Sequence, residues 1–431
     1  MIVLSGASLV LPDRILSPGT LVIEDGRIAE IRSDAPSGSH AAFAFHGHYI
    51  VPGFIDVHIH GVDGVDTLDD VPGDGAIAAI AARLPAYGVT AFCPTTVACQ
   101  PGALRGVLDQ VRRARETPLS RSARVLPAHL ESNFINPEYA GAQPSGCLRS
   151  PRAALGAGGG AGAGRAGGAG GAERDESDAA ARSDFTAAEI LAEIERATPD
   201  VGIVTLASEL DGGLDLVRWL SSRGHRVSLG HSGATYEEAL AAIEAGARQA
   251  THLFNRMRPL DHRAPGLVGA VLQAEETAAE MICDGFHVHP AVIRAAIAAK
   301  RPSRILAISD ATAVAGLPVG SRGMLGGQAI TAGPRTALLP DGTIAGSVLT
   351  MDRAFQTLIG QVGLGIVDAA TICSTSPARE LGLIGHGMLM PESVADLVVL
   401  DANFSVVQTY VAGQLVYARG ADTQVRPYTS S

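Results

Sequence analysis

Aromatic side chains are scarce in this 431-residue sequence: Phe, Trp and Tyr make up 4% of it, with a single tryptophan. Since 46% of the residues are apolar, the core must be built mostly from Ala, Val, Leu and Ile. Cysteine is sparse and unpatterned. Cys93, Cys99, Cys147, Cys283 and Cys373 form no CxxC pair, which argues against a disulfide framework and fits buried thiols in a reducing cytoplasm. No apolar run is long enough to span a bilayer, and the N-terminal MIVLSGASLVLPDRIL lacks the basic start of a signal peptide. An excess of positive charge is missing too. The formal net charge of −11 argues against nucleic acid or an anionic membrane as the main partner. Lysine is reduced to one residue, Lys300.

Hydrophobic periodicity is plentiful. Residues 1–51 alternate short apolar runs with turns, and residues 390–431 do the same, the signature of antiparallel strands. The two ends are expected to form one small β-sandwich domain. Between them, over 52–389, strand-like runs alternate with helical patterns. Eight such strands, from Phe54–His60 to Arg304–Asp310, point to an α/β fold, a (β/α)8 barrel. A Gly/Ala-rich stretch at about 145–183 cannot form a core and reads as a flexible insertion in the loop after the third strand.

Polar residues fall at corresponding places in this pattern. His58 and His60 lie two apart on the first strand, so both imidazoles face the same side. Glu131, His231, His252 and Asp310 end strands three, five, six and eight. In such a barrel the C-terminal strand ends converge on one mouth, where the chemistry sits. Any one of these residues could be a hydrogen-bonded core group; six in register are hard to explain that way. Glu131, His231 and His252 supply one oxygen and two nitrogens and leave a coordination position open, as a catalytic zinc-like site requires. Asp310 is then the expected base for a water molecule, and Asp56 a partner orienting the first-strand histidines.

The His-x-His pair after strand one and the Asp after strand eight resemble the amidohydrolase superfamily. Longer stretches are similar to the N-acetylglucosamine-6-phosphate deacetylase family: PGFIDVHIHG (52–61), GHSGATYEEA (230–239), THLFNRMRPLDHRAPGLVGA (251–270), DGFHVHP (284–290) and DGTIAGSVLTMDRA (341–354). The resemblance implies metal-dependent hydrolysis of the acetamide of N-acetylglucosamine 6-phosphate, or a close N-acetylhexosamine phosphate. It implies a divalent ion, zinc by expectation, one or two per subunit. Glu131, His231 and His252 would hold the first ion and His58 and His60 a second, with Asp310 as the catalytic acid/base. Asn255, Arg263 and His287 would bind the sugar phosphate, Arg263 reaching from the partner of a homodimer. Ala142, Gln143, Arg256, Ile344, Ala345 and Gly346 would line the substrate pocket.

Three departures stand out. Asn133 and Gln143 occupy positions where the family usually has Pro and His, and Arg256 replaces its usual Ala. Gln143 offers an amide donor where an imidazole could carry charge. These departures leave open a paralogous deacetylase acting on another N-acyl amino sugar. A non-catalytic sugar-phosphate-binding protein is the third reading, and the intact ligand set with Asp310 speaks against it.

Overall fold

The computed structural model describes residues 1–33, 42–156 and 184–420. The bulk of the expected insertion, 157–183, lies outside the described residues. Its first part is not an unstructured spacer: Ser145–Cys147 forms a 3-10 turn and Pro151–Leu155 a short helix with Pro151 and Ala154 buried.

Eight parallel strands follow one another around a barrel: Phe54–Ile59, Val89–Thr96, Arg124–Val125 continued by Ala128–Glu131, Val201–Leu206, Arg226–Leu229, Gln249–Ala250, Ala278–Ile282 and Ile305–Ile308. The first two are buried at every position. Strands covered on both faces read as continuous apolar runs for that reason. Each is followed by a helix, among them Ala76–Arg83, Pro101–Glu116, Ala187–Arg196, Tyr236–Glu244 and Pro290–Lys300. Thr186 with Glu189 and Thr235 with Glu238 form capping boxes that fix where two of these helices begin.

Closure is made just beyond the last strand. The Asp310 N–H donates to the His58 carbonyl at 2.9 Å, and the His60 N–H to the Ala311 carbonyl at 2.8 Å. Three residues of the expected site, His58, His60 and Asp310, thus sit at the seam itself.

The termini build a separate sheet with Ile2–Val10 and Tyr49–Pro52 pairing toward Leu397–Leu400 and Gln414–Ala418. Period-2 alternation gives its strands two allegiances. Ile50, Leu397 and Val399 join an apolar cluster belonging to this sheet, whereas Val51, Val398 and Leu400 face into the barrel core.

One element was not expected. Arg322–Leu325, Gln328–Ala332, Thr336–Leu338 and Ile344–Ser347 form a four-stranded antiparallel sheet after the eighth barrel strand. It has its own small core, including Val314, Leu325, Ile330 and Ala345. Leu325, Ile344 and Gly346 reach the wall of the cavity at the barrel mouth.

Candidate active site

The strand ends turn sharply where the polar residues sit. His231, His252 and Asp310 have φ of 47°, 30° and 49°. Non-glycine residues rarely adopt this left-handed conformation, and such strain gathers at functional sites. The turn lifts each side chain off the barrel wall and aims it inward.

Glu131 is the centre. Its Oε1 lies 3.0 Å from both His231 Nε2 and His252 Nε2, which are themselves 3.1 Å apart. His58 Nε2 and His60 Nε2 are 3.2 Å apart, and Asp310 Oδ1 stands 3.4 Å and 3.3 Å from them. His60 Nε2 is also 3.4 Å from Glu131 Oε2. All six residues predicted from the strand ends are therefore in one cluster, and all are buried.

The donor set calls for a cation. His231 Nδ1 faces the Tyr139 carbonyl at 2.8 Å and His58 Nδ1 faces Glu280 Oε2 at 2.9 Å, so each Nδ1 carries the proton. The Nε2 lone pairs of neutral rings would then point at each other and at a carboxylate. Positive charge between them removes the repulsion. The titration behaviour says the same: burial opposes it, yet the carboxylates around them push His58 up to about 9 and His60 up to about 10. Burial likewise raises Glu131 and Asp310, but the surrounding imidazoles hold both below the ordinary carboxylate range. One nitrogen–oxygen set is Glu131, His231 and His252, and a second is His58, His60 and Glu131, sharing the same carboxylate. Both fit a divalent ion. A third grouping, His58, His129 and Glu280, is committed to hydrogen bonds instead. Both nitrogens of His129 are used, by the Val57 carbonyl and Thr205 Oγ1, and burial pushes its pKa down to about 4.

Glu280 was missed from the sequence. It lies in the middle of the seventh strand, fully buried, with Oε2 on His58 and on the His252 N–H and Oε1 accepting from Gln249. The role expected of Asp56 falls largely to it. Asp56 instead accepts from Ser309 Oγ and the Ser309 N–H, touching His58 only through its backbone N–H. Asp56 therefore buttresses the seam between strands one and eight.

A cavity of about 550 Å³ opens above the cluster, lined among others by Ala142, Gln143, Asn255, Arg256, His287, Ile344 and Gly346. Ala345 is the exception among the predicted lining residues: strand alternation turns its side chain into the core of the small sheet. Gly346 packs so closely under Asp310 that a Cβ there would lie 2.9 Å from the Asp310 carbonyl oxygen. Gln143 Nε2 donates to Glu131 Oε2 at 2.5 Å. Asn133, by contrast, does not reach the cavity; its amide ties the carbonyls of Cys99 and Cys147 together. His287 Nδ1 is held by Asp284 Oδ2 at 2.6 Å, while its buried Nε2 has no partner. Arg263 is exposed and outside the wall of this chain's own cavity.

Comparison with known proteins places the chain in a family. Residues 49–416 match the amidohydrolase family. The N-acetylglucosamine-6-phosphate deacetylase of Bacillus subtilis is 30% identical over 415 residues, covering 95% of this chain and 96% of that protein. The N-acetylgalactosamine-6-phosphate deacetylase of Escherichia coli O157:H7 is 32% identical over 96% of this chain and 98% of its own length. A mutant N-acetylglucosamine-6-phosphate deacetylase of Mycobacterium smegmatis, solved in complex with N-acetylglucosamine 6-phosphate, superposes with a TM-score of 0.81 at 28% identity, covering 97% of this chain and 99% of its own. This chain belongs to the amidohydrolase family and, within it, to the N-acetylglucosamine-6-phosphate deacetylases.

Proposed function

We propose that this protein hydrolyses the acetamide of N-acetylglucosamine 6-phosphate to the amino sugar phosphate and acetate. The observation that carries the reading is the convergence of His231 Nε2 and His252 Nε2 on one oxygen of Glu131, each at 3.0 Å, with Asp310 across the same cluster. A divalent ion held there, zinc by preference, would polarise the acetyl carbonyl and lower the pKa of water toward about 7. His58 and His60 provide for a second ion. Asp310, ionised in its imidazole surroundings, takes a proton as water attacks the carbonyl carbon and returns it to the nitrogen as the C–N bond breaks. Gln143 has one amide N–H left to approach the developing oxyanion.

Substrate orientation falls to other residues. His287 offers its unpartnered Nε2 to the phosphate, and Asn255 lines the sugar's side of the cavity. Arg263, exposed and outside its own cavity, suits the phosphate of a neighbouring chain, which makes the working unit a homodimer. Among the described residues no helix is long and apolar enough to cross a membrane. Four of the five thiols are buried and unpaired, as a reducing cytoplasm favours.

The test is acetate release by purified protein. N-acetylglucosamine 6-phosphate should be turned over far better than the unphosphorylated sugar, chelation should stop the reaction, and zinc should restore it. Faster turnover of N-acetylgalactosamine 6-phosphate would move the substrate to that epimer, which the similarity to the E. coli enzyme favours as the second reading. Saturable binding without acetate release would overturn the proposal.

A further inference from the structure

A second cavity, wider than the one at the mouth, lies at the other end of the barrel. It measures about 940 Å³ and lies where strands three, four and five begin, at Arg124, Val201 and Arg226. That face ordinarily serves stability, not chemistry. Its lining is out of keeping with the rest of the chain. In a protein of net charge −11, five guanidinium groups line it, Arg115, Arg124, Arg223, Arg226 and Arg248, against one carboxylate, Glu380.

The carboxylates within reach are already committed. Glu380 accepts from Arg226, Arg304 and Arg379 together. Asp200, just outside the lining, serves both Arg112 and Arg115. Asp396 accepts from the Ala412 N–H at 2.7 Å and faces His386 at 3.0 Å, leaving Arg124 with contacts of 3.4 Å. Arg248 has no carboxylate at all among the described residues; one of its terminal nitrogens donates to the carbonyls of Ile243 and Ala247. Arg223 lies over Trp219 at 3.7 Å, donates from Nη1 to the Trp219 carbonyl at 3.4 Å, and meets one carboxylate, the exposed Glu195, at 3.4 Å, which leaves its second terminal nitrogen unspent. Arg124, Arg223 and Arg248 therefore bring unspent donors to one concave surface. Leu126, Pro127 and Leu381 give that surface apolar walls. The run Arg112–Arg124 reads in the sequence as a helix's solvated face and the loop beyond it; the fold turns two of its arginines, Arg115 and Arg124, toward this cavity.

We propose that the basal cavity is a second ligand site, taking a phosphate dianion, free or carried on a small organic body. Forked guanidinium donors suit phosphate, and a semi-enclosed setting strengthens charge-assisted hydrogen bonds. The site is remote from the barrel mouth, so its ligand is distinct from the substrate. It also touches the sheet built from the termini, through Val411.

The test is calorimetric titration of the full chain with inorganic phosphate at constant ionic strength, with adenosine monophosphate as a second arm. Binding should persist in His287→Ala, which removes the phosphate contact proposed at the mouth. It should weaken by about tenfold or more in Arg124→Gln/Arg248→Gln. Arg223→Glu changes an exposed side chain, leaves the core untouched and should weaken binding similarly, so the proposal does not depend on the double variant folding. Tighter binding of the nucleotide than of phosphate assigns an organic phosphate; equal affinity assigns the free ion. Phosphate binding lost in His287→Ala but kept in the arginine variants, or absent from the wild type, would overturn it.

Discussion

Gln143 holds Glu131 by one oxygen. The Gln143 amide donates to Glu131 Oε2 at 2.5 Å while its own Oε1 accepts the Ala98 N–H at 2.7 Å, so the side chain is fixed at both ends. Glu131 is left to present Oε1 to His231 and His252. The carboxamide, which offers a donor and an acceptor at once, therefore orients the Glu131 carboxylate as well as lining the cavity.

Removing that support should be costly without unfolding the chain. Gln143→Ala is expected to lower kcat/KM and metal affinity by about 10–100-fold, the usual cost of losing a group that orients a metal ligand. Gln143→Glu should do worse, since it sets a second carboxylate against Glu131. Steady-state kinetics alongside metal content of the dialysed proteins would check this; kinetics altered with metal affinity untouched would assign Gln143 to the oxyanion alone.

Asp310 is the group whose loss should separate chemistry from assembly. Asp310→Asn keeps the backbone N–H that closes the barrel on the His58 carbonyl, and keeps the side-chain volume beside Gly346. Turnover should fall by about 10²–10⁴-fold, the range for positioned acid–base catalysis, while metal content and melting temperature stay near the wild type. Single-turnover acetate release is the direct measurement, and substantial activity would remove Asp310 from the role.

Much of this arrangement was legible in the sequence because parallel barrel strands are buried on both faces. Phe54–Ile59 and Val89–Thr96 announce themselves as apolar runs, and a polar residue at such a run's end stands out. Glu280 escaped because it sits inside a strand, AAEMI, where a single acid looks like a flaw in the pattern. Its partner His58 is 222 residues away, a distance no local signal spans. Asp56 was noticed, but its true partner Ser309 is 253 residues distant. The sheet over Arg322–Ser347 was invisible for another reason: its strands are only three to five residues long, and segments such as RGML and IAGS carry too little alternation to register.

Glu280 yields its own prediction. Glu280→Gln keeps the hydrogen-bonding shape but removes the charge that fixes the His58 tautomer and faces the His252 N–H. Activity should drop by about 10–100-fold. The loss should be accompanied by weaker occupancy at the His58–His60 position, read as metal stoichiometry per chain. Unchanged stoichiometry with reduced activity would place its influence on His252 instead.

The sole lysine provides a test of stability remote from the mouth. Lys300 ends the helix Pro290–Lys300 almost fully buried, donating to the Ala274 carbonyl and, at 3.3 Å, to Thr277 Oγ1. Burial, helped by the charge of Arg304, pushes its pKa down to about 8 from 10.5. Below about pH 8 both folded and unfolded chains carry the proton, and the folded state bears the full cost of a buried charge. Between pH 8 and 10.5 the unfolded chain binds more protons, so Lys300's contribution to stability improves as pH rises. Lys300→Met removes the titration, and the Ala274 carbonyl keeps Thr277 Oγ1 as a donor at 3.0 Å. Relative to this variant, the wild type should gain on the order of 1 kcal/mol between pH 7.5 and 9.5 after allowance for solvent screening. Urea unfolding of both proteins at the two pH values measures the difference. Parallel stability curves would mean that Lys300 is solvated enough to titrate normally.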